Sequence, residues 1–349
     1  MTAQQAGHGA RMAAEIAEQP TLLGDLVNSR GDIATVAAEI AAHPPRFVLL
    51  AARGSSDHAA LYAKYLIEIL LGIPVGLASP SVTTLYGAEG DLRDVLLISI
   101  SQSGGSPDLL EVTTSARRRG ARTVVLSNTP DSPLHNAGEL AIDIRAGEEK
   151  AVAATKTYTA TLLALYLLID AVRGGDGEHV RDIGALAERT LADSADAVSH
   201  AAGKYRFVDR VITSARGYSY ATAAETALKL AETSYLAARA YSGADLLHGP
   251  VAAIDEETAV VALTSEGAGG KAMREVLDTV AARGADVLAI GSAAGDVPAS
   301  SRIPVPSSAE EVAPILEVLP AQRLALELAL ARGSDPDHPR GLHKVTKTL

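Results

Sequence analysis

The sequence contains no cysteine and no tryptophan, and aromatic residues make up only 3% of its 349 positions. Without cysteine there can be no disulfide, no Cys-ligated zinc or iron–sulfur cluster, and no thiol nucleophile. With so few aromatics the core has to be built from Ala, Val, Leu and Ile, which 47% hydrophobic residues allow. The longest apolar stretch, near Ala160–Ile169, is too short to span a bilayer. The first eight residues hold no apolar segment of the signal-peptide type. No membrane partner is therefore expected, and a cytoplasmic location is. A net charge of −11 argues against nucleic acid, which rewards clustered Lys and Arg. The nine histidines show no His-x-His or His-Glu-x-x-His spacing, so neither a metal site nor a cofactor is expected.

What is present is a rhythm. After amphipathic helices from about Arg11 to Ala42, interrupted at Pro20, short apolar runs alternate with helical patterns. Arg46–Ala52, Asp94–Ile100, Thr123–Leu126 and Leu140–Ile144 read as buried strands, and Thr155–Val172 as a long apolar helix. After the turn-rich Arg173–Gly177, a second round follows: Asp209–Ser214, Ala259–Leu263, Asp286–Ile290 and a short run at Ile303–Val305. Apolar strands without alternation, separated by helices, predict an α/β fold with parallel sheets covered on both faces. The rounds match: Ala52-Arg53-Gly54 recurs as Ala215-Arg216-Gly217, and Arg119-Gly120-Ala121 as Arg283-Gly284-Ala285. The near-constant offset points to two copies of one α/β unit.

In open parallel sheets, ligands sit beyond the carboxyl ends of the strands. Ser101, Gln102, Ser103, Gly104, Gly105 and Ser106 end one strand and open a helix. Hydroxyls, glycines and a helix N-terminus suit a phosphate cradle, while the same residues also suit an ordinary cap, with Ser106 capping and Pro107 in the first turn. Ser55 and Ser56 sit at a neighbouring strand end and could add donors. Glu225, Lys229 and Glu232 share one helix face, either as an exposed ion-pair ladder or as an acid/base group in which a lysine separates two carboxyl pKa values. His248, in Leu247-His248-Gly249-Pro250, is a functional candidate or a surface histidine. The sequence by itself does not single out Lys344 in the tail.

Taken in order, several strings resemble the SIS (sugar isomerase) domain family over nearly the whole chain, and more closely the isomerase half of the glucosamine-6-phosphate synthases and their free-standing relatives, including type II glucosamine-6-phosphate deaminases. They are Glu15–Pro20, Ala52–Ser56, Ser101–Gly104, Val152–Thr157, Glu225–Glu232, His248–Pro250 and Pro339–Lys344. The resemblance implies two tandem SIS domains, each a parallel sheet flanked by helices, with N-terminal helices and a C-terminal tail. The expected layout is residues 1–42 as the helical segment, 43–175 as the first domain, 176–204 as connecting helices, 205–335 as the second domain and 336–349 as a tail over the active site. It implies that Ser101, Gln102, Ser103 and Ser106 bind phosphate and that Ser55, Ser56, Ala153 and Glu225 contact or support a sugar 6-phosphate. It further implies that Glu232 moves a proton between C1 and C2, with Lys229 as its support. His248 would open the sugar ring from the partner subunit of a homodimer, and Lys344 would form a Schiff base with a ketose.

The family's synthase members carry a Cys-dependent glutaminase domain, which is not found in this sequence, and a serine at the position of Ala154. The expected reaction is therefore isomerising deamination of glucosamine 6-phosphate to fructose 6-phosphate and ammonia. The alternatives are dehydration of the N-acetylated sugar phosphate by loss of its C3 hydroxyl, and a non-catalytic sugar-phosphate sensor.

Overall fold

The computed structural model describes residues 7–344. Two five-stranded, wholly parallel sheets are present among them. The first contains β1 (Phe47–Ala51), β2 (Val75–Leu77), β3 (Val95–Ser101), β4 (Arg122–Ser127) and β5 (Leu140–Asp143), in the order β2-β1-β3-β4-β5. The second contains β6 (Arg210–Ala215), β7 (Arg239–Ser242), β8 (Thr258–Leu263), β9 (Asp286–Gly291) and β10 (Ser301–Pro304), in the order β7-β6-β8-β9-β10. The two orders coincide strand for strand. The repeated tripeptides follow the same rule: one pair begins where β1 and β6 end, and the other precedes β4 and β9. The duplication read from the sequence is a duplication of topology.

Within the described residues, positions 22–149, 156–181 and 343–344 form one compact unit, around β1–β5. Positions 7–21, 150–155 and 182–342 form the other, around β6–β10. In the first, the helix Pro107–Arg118 places Leu109, Val112 and Ala116 against Leu97 and Val125 of the sheet. The helix Lys156–Val172 is buried from Lys156 to Asp170, as a helix apolar on every side must be. In the second unit, Met273, Val276, Leu277 and Val280 of the helix Ala268–Ala281 pack on Val260, Ala262 and Val287.

Two expectations change. The first helix does not stop at Pro20 but runs from Ala10 to Asn28. Proline lacks the N–H that would bond to the carbonyl four residues back. Here the buried Gln19 side chain supplies the missing donor, with Nε2 3.2 Å from the Ile16 carbonyl. The edge strands β2 and β7 went unread because Val-Gly-Leu and Arg-Ala-Tyr-Ser are too short or too polar to register as apolar runs. What defines them is pairing: Val48 with Val75, and Ser214 with Tyr241.

Candidate active site

The strand order of the first sheet reverses direction between β1 and β3, the point at which open α/β sheets form a ligand crevice. Both hydroxyl-bearing loops lie at this point. Ser55 and Ser56 open the helix Ser55–Leu66 after β1, and Ser101–Ser106 lead from β3 into the helix Pro107–Arg118. The second loop is tightly fixed. Gly104 has φ +60°, and a Cβ there would lie 1.9 Å from Ser132 Oγ, so only glycine fits. The Gln102 carbonyl accepts from the Asn128 N–H at 3.1 Å. The Gly104 N–H donates to Ser101 Oγ at 3.2 Å and the Gly105 N–H to Ser103 Oγ at 3.3 Å. A hydroxyl that accepts from the backbone keeps its own proton to give to a ligand. Ser106 occupies the N-cap position, yet its side chain makes no capping bond. The cap explanation is thus not realised, and the loop offers several donors at a helix N-terminus.

An ion pair joins the two loops. Arg53 Nε lies 2.8 Å from Oδ2 of the buried Asp108, whose Oδ1 accepts from the Leu109 N–H. Neither residue was anticipated as part of the site, because a charge in a loop has no meaning until its partner is known.

The same unit holds the tail lysine. Lys344 Nζ is 2.6 Å from Oε2 of Glu149, a carboxylate whose side chain is fully buried. Glu149 also accepts from the Thr157 N–H at 3.1 Å and from Thr157 Oγ1 at 2.7 Å. Glu149 is a third unanticipated residue. Residues 345–349 of the tail, expected over the active site, lie outside the described residues.

In the β6–β10 unit, the helix Tyr220–Ser234 follows the loop at the end of β6 and carries the charged trio. Lys229, 1% exposed, has Nζ 3.3 Å from Glu225 Oε1 and 2.5 Å from Glu232 Oε2. The exposed-ladder alternative is excluded, since the Lys229 and Glu225 side chains are 2% and 0% exposed; only Glu232, at 23%, reaches solvent. A lysine buried between two carboxylates is an arrangement that fixes Glu232 in space. The same helix ends at Tyr235, in the left-handed region at φ +57°. Its hydroxyl accepts from the Arg340 N–H at 3.0 Å, and the Arg340 guanidinium lies 3.9 Å above its ring.

His248 follows the short helix Gly243–Leu247. Its backbone N–H is used, while its exposed ring makes no hydrogen bond among the described residues. Ala153 is buried in the segment 150–155. That segment is held by Glu15, which accepts from the Lys150 and Ala151 N–H groups, and by Gln322, which donates to the Thr155 carbonyl at 3.1 Å. The structure thus groups Ser55, Ser56, Ser101–Ser106 and Lys344 in one unit, and Glu225, Lys229, Glu232, His248 and Ala153 in the other. Among the described residues, no cluster of His, Asp and Glu could hold a metal ion, and no helix is long and apolar enough to cross a membrane.

The sequence pattern of the SIS domain family matches residues 44–171 and 204–332. This chain belongs to the SIS domain family. It is 37% identical to the isomerizing glutamine–fructose-6-phosphate aminotransferase of Gloeobacter violaceus over 95% of its own length and 58% of that protein's. It therefore spans a little over half the length of this curated relative. A solved chain from Silicibacter pomeroyi DSS-3, provisionally described as a phosphosugar isomerase, is 35% identical with a TM-score of 0.86, covering 94% of this SIS protein and 99% of that chain. Glucosamine-6-phosphate deaminase of Thermotoga maritima shares the fold, with a TM-score of 0.81 at 24% identity, covering 97% of this chain and 100% of that one. The protein is an enzyme of the SIS family.

Proposed function

We propose that this SIS enzyme acts on an amino-sugar 6-phosphate, and that its reaction is the isomerising deamination of glucosamine 6-phosphate. The carrying observation is the Glu225–Lys229–Glu232 trio, in which Glu225 and Lys229 are buried and only the Glu232 side chain reaches solvent. A carboxylate held in place by a buried lysine suits a base that takes a proton from carbon. The named activity of the Gloeobacter violaceus relative, an isomerizing aminotransferase on fructose 6-phosphate, supports the same substrate class.

In the proposed sequence, Ser101, Gln102, Ser103 and Ser106 hold the phosphate, with Ser55, Ser56 and the Ala153 segment against the sugar. His248 moves the proton of the C1 hydroxyl to the ring oxygen as the C1–O5 bond breaks, and so frees the C1 aldehyde. Glu232 removes the C2 proton, and the resulting enolamine is reprotonated at C1 to give a C2 imine. Water adds at C2, directly or after exchange of the imine onto Lys344, and ammonia leaves. The balance is glucosamine 6-phosphate plus water to fructose 6-phosphate plus ammonia. The working enzyme is proposed to be a cytoplasmic homodimer, with the exposed ring of His248 serving the partner subunit.

The test is incubation with glucosamine 6-phosphate and, separately, with its N-acetyl form, each deuterated at C2, followed by mass analysis. Fructose 6-phosphate that has lost the C2–D bond supports deamination. A product from the N-acetyl sugar lighter by the C2 deuteron and the C3 hydroxyl together identifies a dehydratase instead. An intact C2–D bond throughout leaves only sugar-phosphate binding.

A further inference from the structure

The second sheet also reverses direction, between β6 and β8. The loop after β8, Thr264-Ser265-Glu266-Gly267, leads into the helix Ala268–Ala281 as the Ser101–Ser106 loop leads into its own helix. In this second copy the helix N-terminus is already occupied. Glu310, from a distant loop, accepts from the Ala268 N–H at 3.0 Å and from the Gly269 N–H at 2.7 Å. Its carboxylate reaches the crevice itself: a Cβ on Gly217, after β6, would lie 3.9 Å from Glu310 Oε1. A Cβ on Gly267, where φ is +130°, would lie 2.2 Å from Oε2. Glycine is needed at Gly267 so that the carboxylate can approach.

A second carboxyl marks the same edge of the sheet. Glu317 is fully buried, and among the described residues neither of its oxygens makes a hydrogen bond. Oε1 lies 3.0 Å from where a Cβ on Gly291, at the end of β9, would stand. Burial pushes this carboxyl up to about 8; the nearby Ser219 side chain partly opposes the rise without meeting the geometry of a hydrogen bond, and the Glu310 carboxylate adds a smaller increment to it. An unpartnered buried acid therefore sits at the strand ends where Glu310 supplies the negative charge. Beside both, Gly267 and Ser265 also line a cavity of about 400 Å³ whose charged lining is Lys271 and Arg274 together with Glu266 and Asp296.

We propose that the β6–β10 repeat is a phosphate-type anion site closed from within, with the Glu310 carboxylate in the place of the anion. Backbone N–H groups at a helix start favour a bound anion, and a tethered carboxylate meets no cost of association that a free phosphate would. Each chain then presents one open cradle, that of Ser101–Ser106. Removing the Glu310 carboxylate opens a second one for inorganic phosphate or a phosphate monoester. This inference rests on the reading of Ser101–Ser106 as the first cradle.

The test counts phosphate bound per chain by equilibrium dialysis at saturating inorganic phosphate and constant ionic strength, using the full chain. Four proteins are compared: wild type, Ser101→Ala/Ser103→Ala, Glu310→Ala and the triple variant. The expected counts are one, zero, two and one. Glu310→Gln, which keeps the crevice filled, should bind as wild type does. A folded Glu310→Ala protein with the wild-type count overturns the proposal. If wild type binds none while Glu310→Ala binds one, the Ser101–Ser106 assignment fails and the Glu310 assignment stands. Should Glu310→Ala not fold in chloride, its refolding in phosphate is measured. Recovery supports an opened anion site, and none in either salt overturns it.

Discussion

Lys344 Nζ donates to Oε2 of Glu149 across 195 positions of sequence, at 2.6 Å. Glu149 is fully buried and is anchored in turn by the backbone and hydroxyl of Thr157. These contacts fix the carboxylate from which the lysine is held. Glu149→Gln should therefore misplace Lys344 and lower kcat by on the order of 10²-fold, the cost of a small displacement of a reacting group, while KM changes little. Steady-state kinetics on glucosamine 6-phosphate checks this. A chain ending at Arg340 should fold, as judged by circular dichroism, and lose turnover. Full turnover by that truncation would remove Lys344 from the mechanism.

The hydroxyls of Ser101 and Ser103 accept from the backbone and keep their protons for a ligand. Removing either leaves a charged acceptor one donor short. Ser103→Ala should weaken sugar-phosphate binding by about 1–3 kcal/mol. Calorimetric titration with fructose 6-phosphate reads this directly; unchanged affinity in the double alanine variant would sink the phosphate assignment.

Glu232 is the solvent-reaching member of the buried trio. Glu232→Gln keeps its shape and removes its basicity, so binding should persist while the rate falls by roughly 10²–10⁴. Mixing that variant with His248→Ala should restore part of the activity if His248 serves the partner subunit. Demonstrably mixed dimers that stay inactive would confine the chemistry to one chain.

Glu317 connects stability to pH. Its folded value of about 8 lies above its ordinary value of 4.5. Between these, the folded chain keeps a proton that the unfolded chain has lost, so stability falls as pH rises through that window and levels off beyond it. The slope from this group is about 1.4 kcal/mol per pH unit at most. Glu317→Gln cannot ionise and should flatten that part of the curve, becoming more stable than wild type near pH 8. Urea unfolding at pH 5, 6.5 and 8 measures the difference; parallel curves for the two proteins would refute it.

The positions of the strands were legible because a parallel sheet covered on both faces demands uninterrupted apolar runs. Among the described residues seven strands announce themselves in this way; β2, β7 and β10, all at sheet edges, are set by pairing instead, β10 being marked beforehand only by the short run Ile303–Val305. Pro20 shows the limit of a local rule. Its effect depended on whether Gln19 could serve the Ile16 carbonyl, and no propensity contains that information.

The sequence by itself determined the α/β class, the duplication, and the loops of small and hydroxyl-bearing residues at strand ends, since each of these follows from periodicity or from neighbouring residues. Tertiary structure alone decided the partners. Arg53 met Asp108, Glu149 met Lys344, Tyr235 met Arg340 over 105 positions, and Glu310 met the Ala268–Ala281 helix. An isolated charge has the same appearance in a sequence whether it faces water or a buried counterpart. Its meaning is fixed only when folding brings a partner within about 3 Å and removes the water between them, because Coulomb attraction and hydrogen bonding are decided by distance and local dielectric.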